Sequence, residues 1–190
     1  MLSASVAEVH DFALTVRALV DHYPNERDVT ASIADTLAEL LADKAFTLPA
    51  SHITAHPDHY VMYPLYVAPD GAFSIASAVW NVGQRTPVHG HETWGVVGIY
   101  SGVEREVRYA KPADGVVPER LGEHDWSPGE VTVCCTTDDD VHAVSCAGDL
   151  PCVGIHVYGA NIGELRRRSY DADTGDVAWF VSPWATPATS

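Results

Sequence analysis

From about Tyr60 onward, short runs of β-branched and aromatic residues alternate with turn signals, and this rhythm restricts the fold more than any other feature of the chain. YVMYPLYV is followed by APDG, FSIASAVW by NVGQ, WGVVGIY by SG and VEREVRY by KPADG; EVTVCC, HAVS, PCVGIHVYG and VAWFVS come later. Runs of this length bounded by Gly, Pro, Asn and Asp read as strands, and many of them at regular spacing predict an all-β barrel or sandwich. The first quarter has a different texture. Val9, Phe12, Ala13, Val16, Leu19 and Val20 recur at three- and four-residue spacing, the apolar stripe of a helix that Pro24 closes. Ile33, Leu37, Leu40 and Leu41 make a second stripe, with Thr30 or Ser32 expected to cap its start. The 190 residues are expected to form one domain, with a helical part over 1–48, a β-barrel over 60–182 and a loose tail, WATPATS.

Composition narrows the partners. A formal net charge of −15 opposes a nucleic-acid or anionic-membrane surface. The apolar runs are all too short to span a bilayer, and the first twenty residues lack the basic start of a signal peptide. Cys134, Cys135, Cys146 and Cys152 are too sparse for a disulfide scaffold, and the adjacent pair is not a CxxC motif. Reduced thiols in a cytoplasm are expected. The sequence leaves the oligomeric state open.

Chemistry concentrates in TPVHGHETWGVVGIYSG, residues 86–102. On a strand, His89 and His91 point to the same face, and Gly90 leaves the other face bare. Two imidazoles so placed can grip one metal ion; the alternative is a pair of solvent-facing histidines on an edge strand. His142, in DDDVHAVSC, is a candidate third ligand that antiparallel strands would return to the same layer. Three neutral imidazoles on one side of an ion leave the other side open, which suits a reactive ferrous centre better than a closed structural zinc site. His52, His56 and His59 lie in a Pro-containing connector and read as loop histidines.

At this point the sequence resembles the cupin superfamily. GQRTPVHGHETWGVVGIYSG is similar to the first cupin motif, although Gly95 and Val96 stand where many cupins place a glutamate ligand, and the adjacent Glu92 should face away. DVHAVSCAGDLPCVGIHVYG then resembles the second half of the thiol dioxygenases of the cysteine dioxygenase type I group, closest in wording to the bacterial 3-mercaptopropionate dioxygenase branch. The resemblance runs over roughly residues 60 to 175. It implies a cupin double-stranded β-helix, a jelly-roll barrel with two or three N-terminal helices packed outside. It also implies Fe(II) on His89, His91 and His142, Tyr158 beside the iron, and His156 holding the phenol. Taken alone, Tyr158 reads more readily as a half-buried barrel tyrosine.

Three departures bear on substrate. Gly95 removes the cysteine that crosslinks to the tyrosine in animal-type relatives, and Gly154 stands where the mercaptopropionate branch often has a relay serine. Val61 and Met62 occupy the positions of the usual carboxylate-binding arginine. Arg166 and Arg168 are the candidates to reach the pocket mouth instead, the alternative being a solvated charge run. Val61, Met62 and Tyr63 would soften such a pocket toward a less acidic or bulkier thiol.

The expected activity is an iron-dependent dioxygenase that adds both atoms of O2 to the sulfur of a small 3-mercaptopropionate- or cysteine-like thiol, giving a sulfinate. The alternatives are another metal-dependent cupin enzyme, either a carbon-bond-cleaving dioxygenase or an isomerase, and a non-enzymatic metal or ligand sensor.

Overall fold

A computed structural model describes residues 4–137 and 139–187, with side chains from residue 7. The end of the tail, 188–190, lies outside the described residues. Two helices lead: α1 (Ala4–His22) and α2 (Glu26–Ala42), followed by a single 3-10 turn at Ala50–His52. Eleven strands follow: β1 (Val61–Val67), β2 (Ser74–Trp80), β3 (Val88–His89), β4 (Gly95–Ser101), β5 (Glu104–Tyr109), β6 (Arg120–Trp126), β7 (Val131–Cys135), β8 (His142–Cys146), β9 (Cys152–Tyr158), β10 (Arg167–Tyr170) and β11 (Val177–Phe180). They form a five-stranded sheet, β1-β2-β9-β4-β7, and a six-stranded sheet, β11-β10-β3-β8-β5-β6. Every pairing is antiparallel, and the chain passes repeatedly between the sheets. This is a double-stranded β-helix, the architecture that the resemblance implied, with two helices outside.

Alternation positions the site. β2 and β9 pair along their whole length and are buried on both faces. Ile75, Val79, Val153, Ile155 and Val157 join the cluster beneath the helices, with Val16, Ile33 and Leu37. Ala76, Ala78, Trp80 and Tyr158 turn the other way, into the barrel, where Met62 meets them from β1. Val61 and Tyr63 flank Met62 and therefore belong to the helix-side cluster. The Tyr63 hydroxyl donates to the Thr54 carbonyl at 2.8 Å. Of the expected Val61–Met62–Tyr63 lining, only Met62 looks into the barrel.

Several local expectations need correction. Helix α2 starts earlier than its apolar stripe, because Asn25 in an extended conformation accepts from the Asp28 amide. Thr30 is inside that helix, bonded to the Glu26 carbonyl. β6 (RLGEHDW) is exposed and pairs only with β5, so it has no buried face to produce an apolar pattern. β10 lies within the arginine run and pairs with both β3 and β11. The tail is fastened rather than loose at its start: the Trp184 indole donates to Asn161 at 3.0 Å and the Ala185 amide to the Met62 carbonyl at 2.8 Å.

Candidate metal centre

His89 ends β3 and sits directly opposite His142 of β8 in register. His91 lies past the end of the strand, so strand alternation does not orient it. Two other features do. The Gly90 amide donates to the Arg168 carbonyl, and the His91 and Glu92 amides both donate to the buried Asp140 carboxylate at 2.9 Å. Glu92 takes a left-handed φ of 56°, completing the turn. A Cβ at Gly90 would stand 2.9 Å from Asp140 Oδ2, so glycine is what lets the carboxylate come this close. Lys111 pairs with the same carboxylate at 2.9 Å.

The result is a convergence of three buried rings, with centroids 4.9, 4.9 and 4.8 Å apart for the pairs 89–91, 89–142 and 91–142. One nitrogen from each lies within 4.8 Å of the others. In two of the rings the Nδ1 atom has a partner that fixes the tautomer, whereas His91 Nδ1 is buried without one among the described residues. His142 Nδ1 lies 2.7 Å from Glu106 Oε1 and His89 Nδ1 lies 3.0 Å from the Pro87 carbonyl. Both partners accept, so both histidines donate from Nδ1 and present the Nε2 lone pair. Burial, with His142 nearby, pushes His89 and His91 well below the ordinary imidazole range, which keeps them neutral. Three buried and mutually close imidazoles, two of them held through Nδ1, fit a divalent metal.

A second donor set overlaps the first. A bulge opposite Gly95 turns Cys134 and Cys135 to one side, with sulfurs 3.1 Å apart and near His91. Those thiols must lose protons before they can ligate, and burial pushes Cys135 well up. His89 and His91, held neutral by burial, have no such barrier.

Around the imidazoles lies a small cavity of about 20 Å³ whose other walls include Tyr60, Met62, Trp80, His156, Tyr158 and Arg167. A larger pocket of about 370 Å³ adjoins it, and Tyr60 and Met62 line both. The Tyr158 ring stands 5.3 Å from the His91 ring, and its hydroxyl is 2.8 Å from His156 Nδ1. Both side chains are buried.

The arginines are placed differently from the sequence expectation. β10 alternates, so Arg166 and Arg168 face outward against Trp179, at 5.6 and 5.8 Å. Arg168 is also clamped by Glu92 through bonds of 2.7 and 2.9 Å. Neither lines the cavity. Arg167, between them, points in. It is 2% exposed and stacks over Phe180 at 4.8 Å. Among the described residues its Nε and Nη2 have no hydrogen-bond partner. The signal available in the sequence was period two: in RRRSY the central arginine faces opposite to its neighbours, once the segment is seen as a strand.

No family model matches the chain. Among solved structures it is similar to a conserved protein with a double-stranded β-helix domain from Klebsiella pneumoniae subsp. pneumoniae, at 9% identity and TM-score 0.47, over 74% of this chain and 93% of that one. It is similar to an RmlC-like cupin with a double-stranded β-helix fold from Methanocaldococcus jannaschii, at 13% identity and TM-score 0.43, over 63% and 92%. It is also similar to an oxalate oxidase in complex with the substrate analogue glycolate, at 12% identity and TM-score 0.46, over 62% and 60%. At such distances none of them bears on chemistry.

Proposed function

We propose that this chain is a non-haem iron thiol dioxygenase whose substrate is a small thiol carrying a carboxylate. The observation that carries the reading is the buried Arg167 guanidinium, whose Nε and Nη2 have no partner among the described residues, on the same cavity as the three imidazoles of His89, His91 and His142. A buried cation without a counter-charge is costly, and an anionic ligand relieves that cost. Arginine's planar fork matches a carboxylate.

His89, His91 and His142 would hold the ion. A ferrous ion there supplies the charge that favours thiolate over thiol and the electrons that make dioxygen reactive toward sulfur. The side chains do the rest. Arg167 holds the carboxylate and so fixes the sulfur at one distance from the imidazoles. Met62, Trp80 and Tyr60 wall a cavity with room for about one water molecule, so the body of a bound thiol would extend toward the adjoining pocket that Tyr60 and Met62 also line. Tyr158, whose ring stands beside His91, would offer its hydroxyl to the bound substrate, and His156 holds that hydroxyl. The overall change balances without another reductant: R–SH and O2 give R–SO2H, both oxygens ending on sulfur.

The test is an anaerobically iron-loaded protein offered cysteine, 3-mercaptopropionate, mercaptosuccinate and cysteamine, with products identified by mass spectrometry. Sulfinate from the carboxylate-bearing thiols and little from cysteamine is the expected result. Oxygen consumption without sulfinate, or a preference for cysteamine, contradicts the proposal.

A further inference from the structure

Behind His156, on the side away from Tyr158, lies a buried carboxyl group from the opposite sheet. Glu104 opens β5, is 2% exposed, and aims Oε2 at His156 Nε2 from 3.9 Å. Among the described residues neither atom has any hydrogen-bond partner. Two buried polar atoms without other partners among the described residues, roughly 1 Å beyond hydrogen-bond contact with each other, are one small shift from satisfying both. Glycine at 154 clears the ground between them. A Cβ there would stand 2.6 Å from His156 Nε2 and 3.3 Å from Glu104 Oε2. The residue that removes a relay hydroxyl from β9 thus admits a carboxyl from β5.

We propose that Glu104 is a positioning residue for Tyr158: its carboxyl O–H donates to His156 Nε2, which fixes the imidazole as the Nδ1–H tautomer donating to the Tyr158 oxygen, and the phenol proton is left to face the imidazole cluster. With the opposite tautomer, His156 Nδ1 would instead accept from Tyr158 and turn that proton away from the site. The proton inventory agrees with the geometry. Burial and the neighbouring Glu106 push Glu104 up to about 8, so it keeps its proton at neutral pH. Burial, with His142 and Arg167, pushes His156 down to about 3, so the imidazole is neutral. Cys146 lies opposite Glu104 on β8, and on β9 Cys152, whose thiol burial raises, is also near; neither supplies a competing positive charge.

The inference rests on the proposed function only for what Tyr158 acts upon, and its primary test needs neither metal nor substrate. In metal-free protein labelled with 15N-histidine, long-range proton–nitrogen correlation reads the His156 tautomer, assigned by its loss in His156→Gln. Nδ1–H is expected in the natural protein. Glu104→Gln, whose carboxamide can also donate, keeps it; Glu104→Leu loses it. An Nε2–H tautomer in the natural protein overturns the proposal without any variant, and so does an unchanged Nδ1–H tautomer in Glu104→Leu. With iron and a thiol carboxylate, kcat in Glu104→Leu is expected to fall ~10–100-fold with little change in KM, and Glu104→Gln to recover most of it. If the natural protein makes no sulfinate at all, the functional proposal falls while the tautomer result stands.

Discussion

His142 donates from Nδ1 to the Glu106 carboxylate across 2.7 Å, inside a barrel where both side chains are buried. Burial pushes Glu106 up, but the bonds from His142 and from Trp126 outweigh it and hold the carboxyl below its ordinary range. The pair fixes both the tautomer and the aim of one imidazole. Glu106→Ala frees that ring and is expected to weaken iron affinity ~10–100-fold, measured anaerobically by competition with a chelator. An unchanged affinity would mean that His142 is not a ligand.

Arg167 separates binding from stability. Arg167→Met is expected to raise KM for a thiol carboxylate by at least about tenfold, the loss of one charge-assisted contact. The same change removes an unpaired buried cation, so the substrate-free variant should melt at or above the natural protein's temperature. Arg168→Ala, which breaks the outward contacts with Glu92 and Trp179, should leave KM within about twofold. A KM effect at Arg168 and none at Arg167 would reverse the assignment.

Asp140 anchors the histidine turn. Its buried carboxylate accepts the His91 and Glu92 amides and pairs with Lys111. Asp140→Ala leaves two amides and an ammonium group uncompensated, a loss of about 3–5 kcal/mol by urea denaturation. Iron binding should fall with it, because His91 has no strand to orient it. Normal stability together with lost iron would show that Asp140 acts as a ligand instead.

Glu104 makes stability depend on pH in a defined direction. Its carboxyl titrates at 4.5 when unperturbed and at about 8 in the fold. Between these values the folded state holds the extra proton. The contribution is therefore complete below 4.5 and is lost as pH rises toward 8. In metal-free protein, the melting temperature of the natural chain relative to Glu104→Gln should decline steadily across that window. The His156 contribution is common to both proteins and cancels in the comparison. A constant difference would show that Glu104 is ionised throughout.

Much of this was legible in the sequence because apolar side chains obey the period of their element. The two helices and the runs around Ile75, Val97 and Ile155 announce themselves by pattern, and HGH with a later histidine already points to three side chains that the fold brings together as a candidate metal site. What escaped has a physical cause in each case. β6 is polar because no layer covers it. Met62 is separated from Val61 and Tyr63 only by the pleat. His91 is held by Asp140, a contact across 49 positions that no local spacing encodes. Arg167 was hidden between two arginines of the same chemistry, and only the pairing of β10 with β3 shows which one turns inward. Glu104 lay in VEREVRY, read only as a strand; the face bearing Glu104 and Glu106 is the interior, and two glutamates on one face do not announce burial.

Isotope labelling of the product decides the reading at its root. Iron-loaded protein is turned over with 3-mercaptopropionate under heavy-oxygen dioxygen, in parallel with a His142→Ala variant, and the product is weighed. A sulfinate carrying two heavy oxygens from the natural protein, and none from the variant, is the result predicted. A sulfinate whose oxygens come from water, or equal product from the variant, contradicts it.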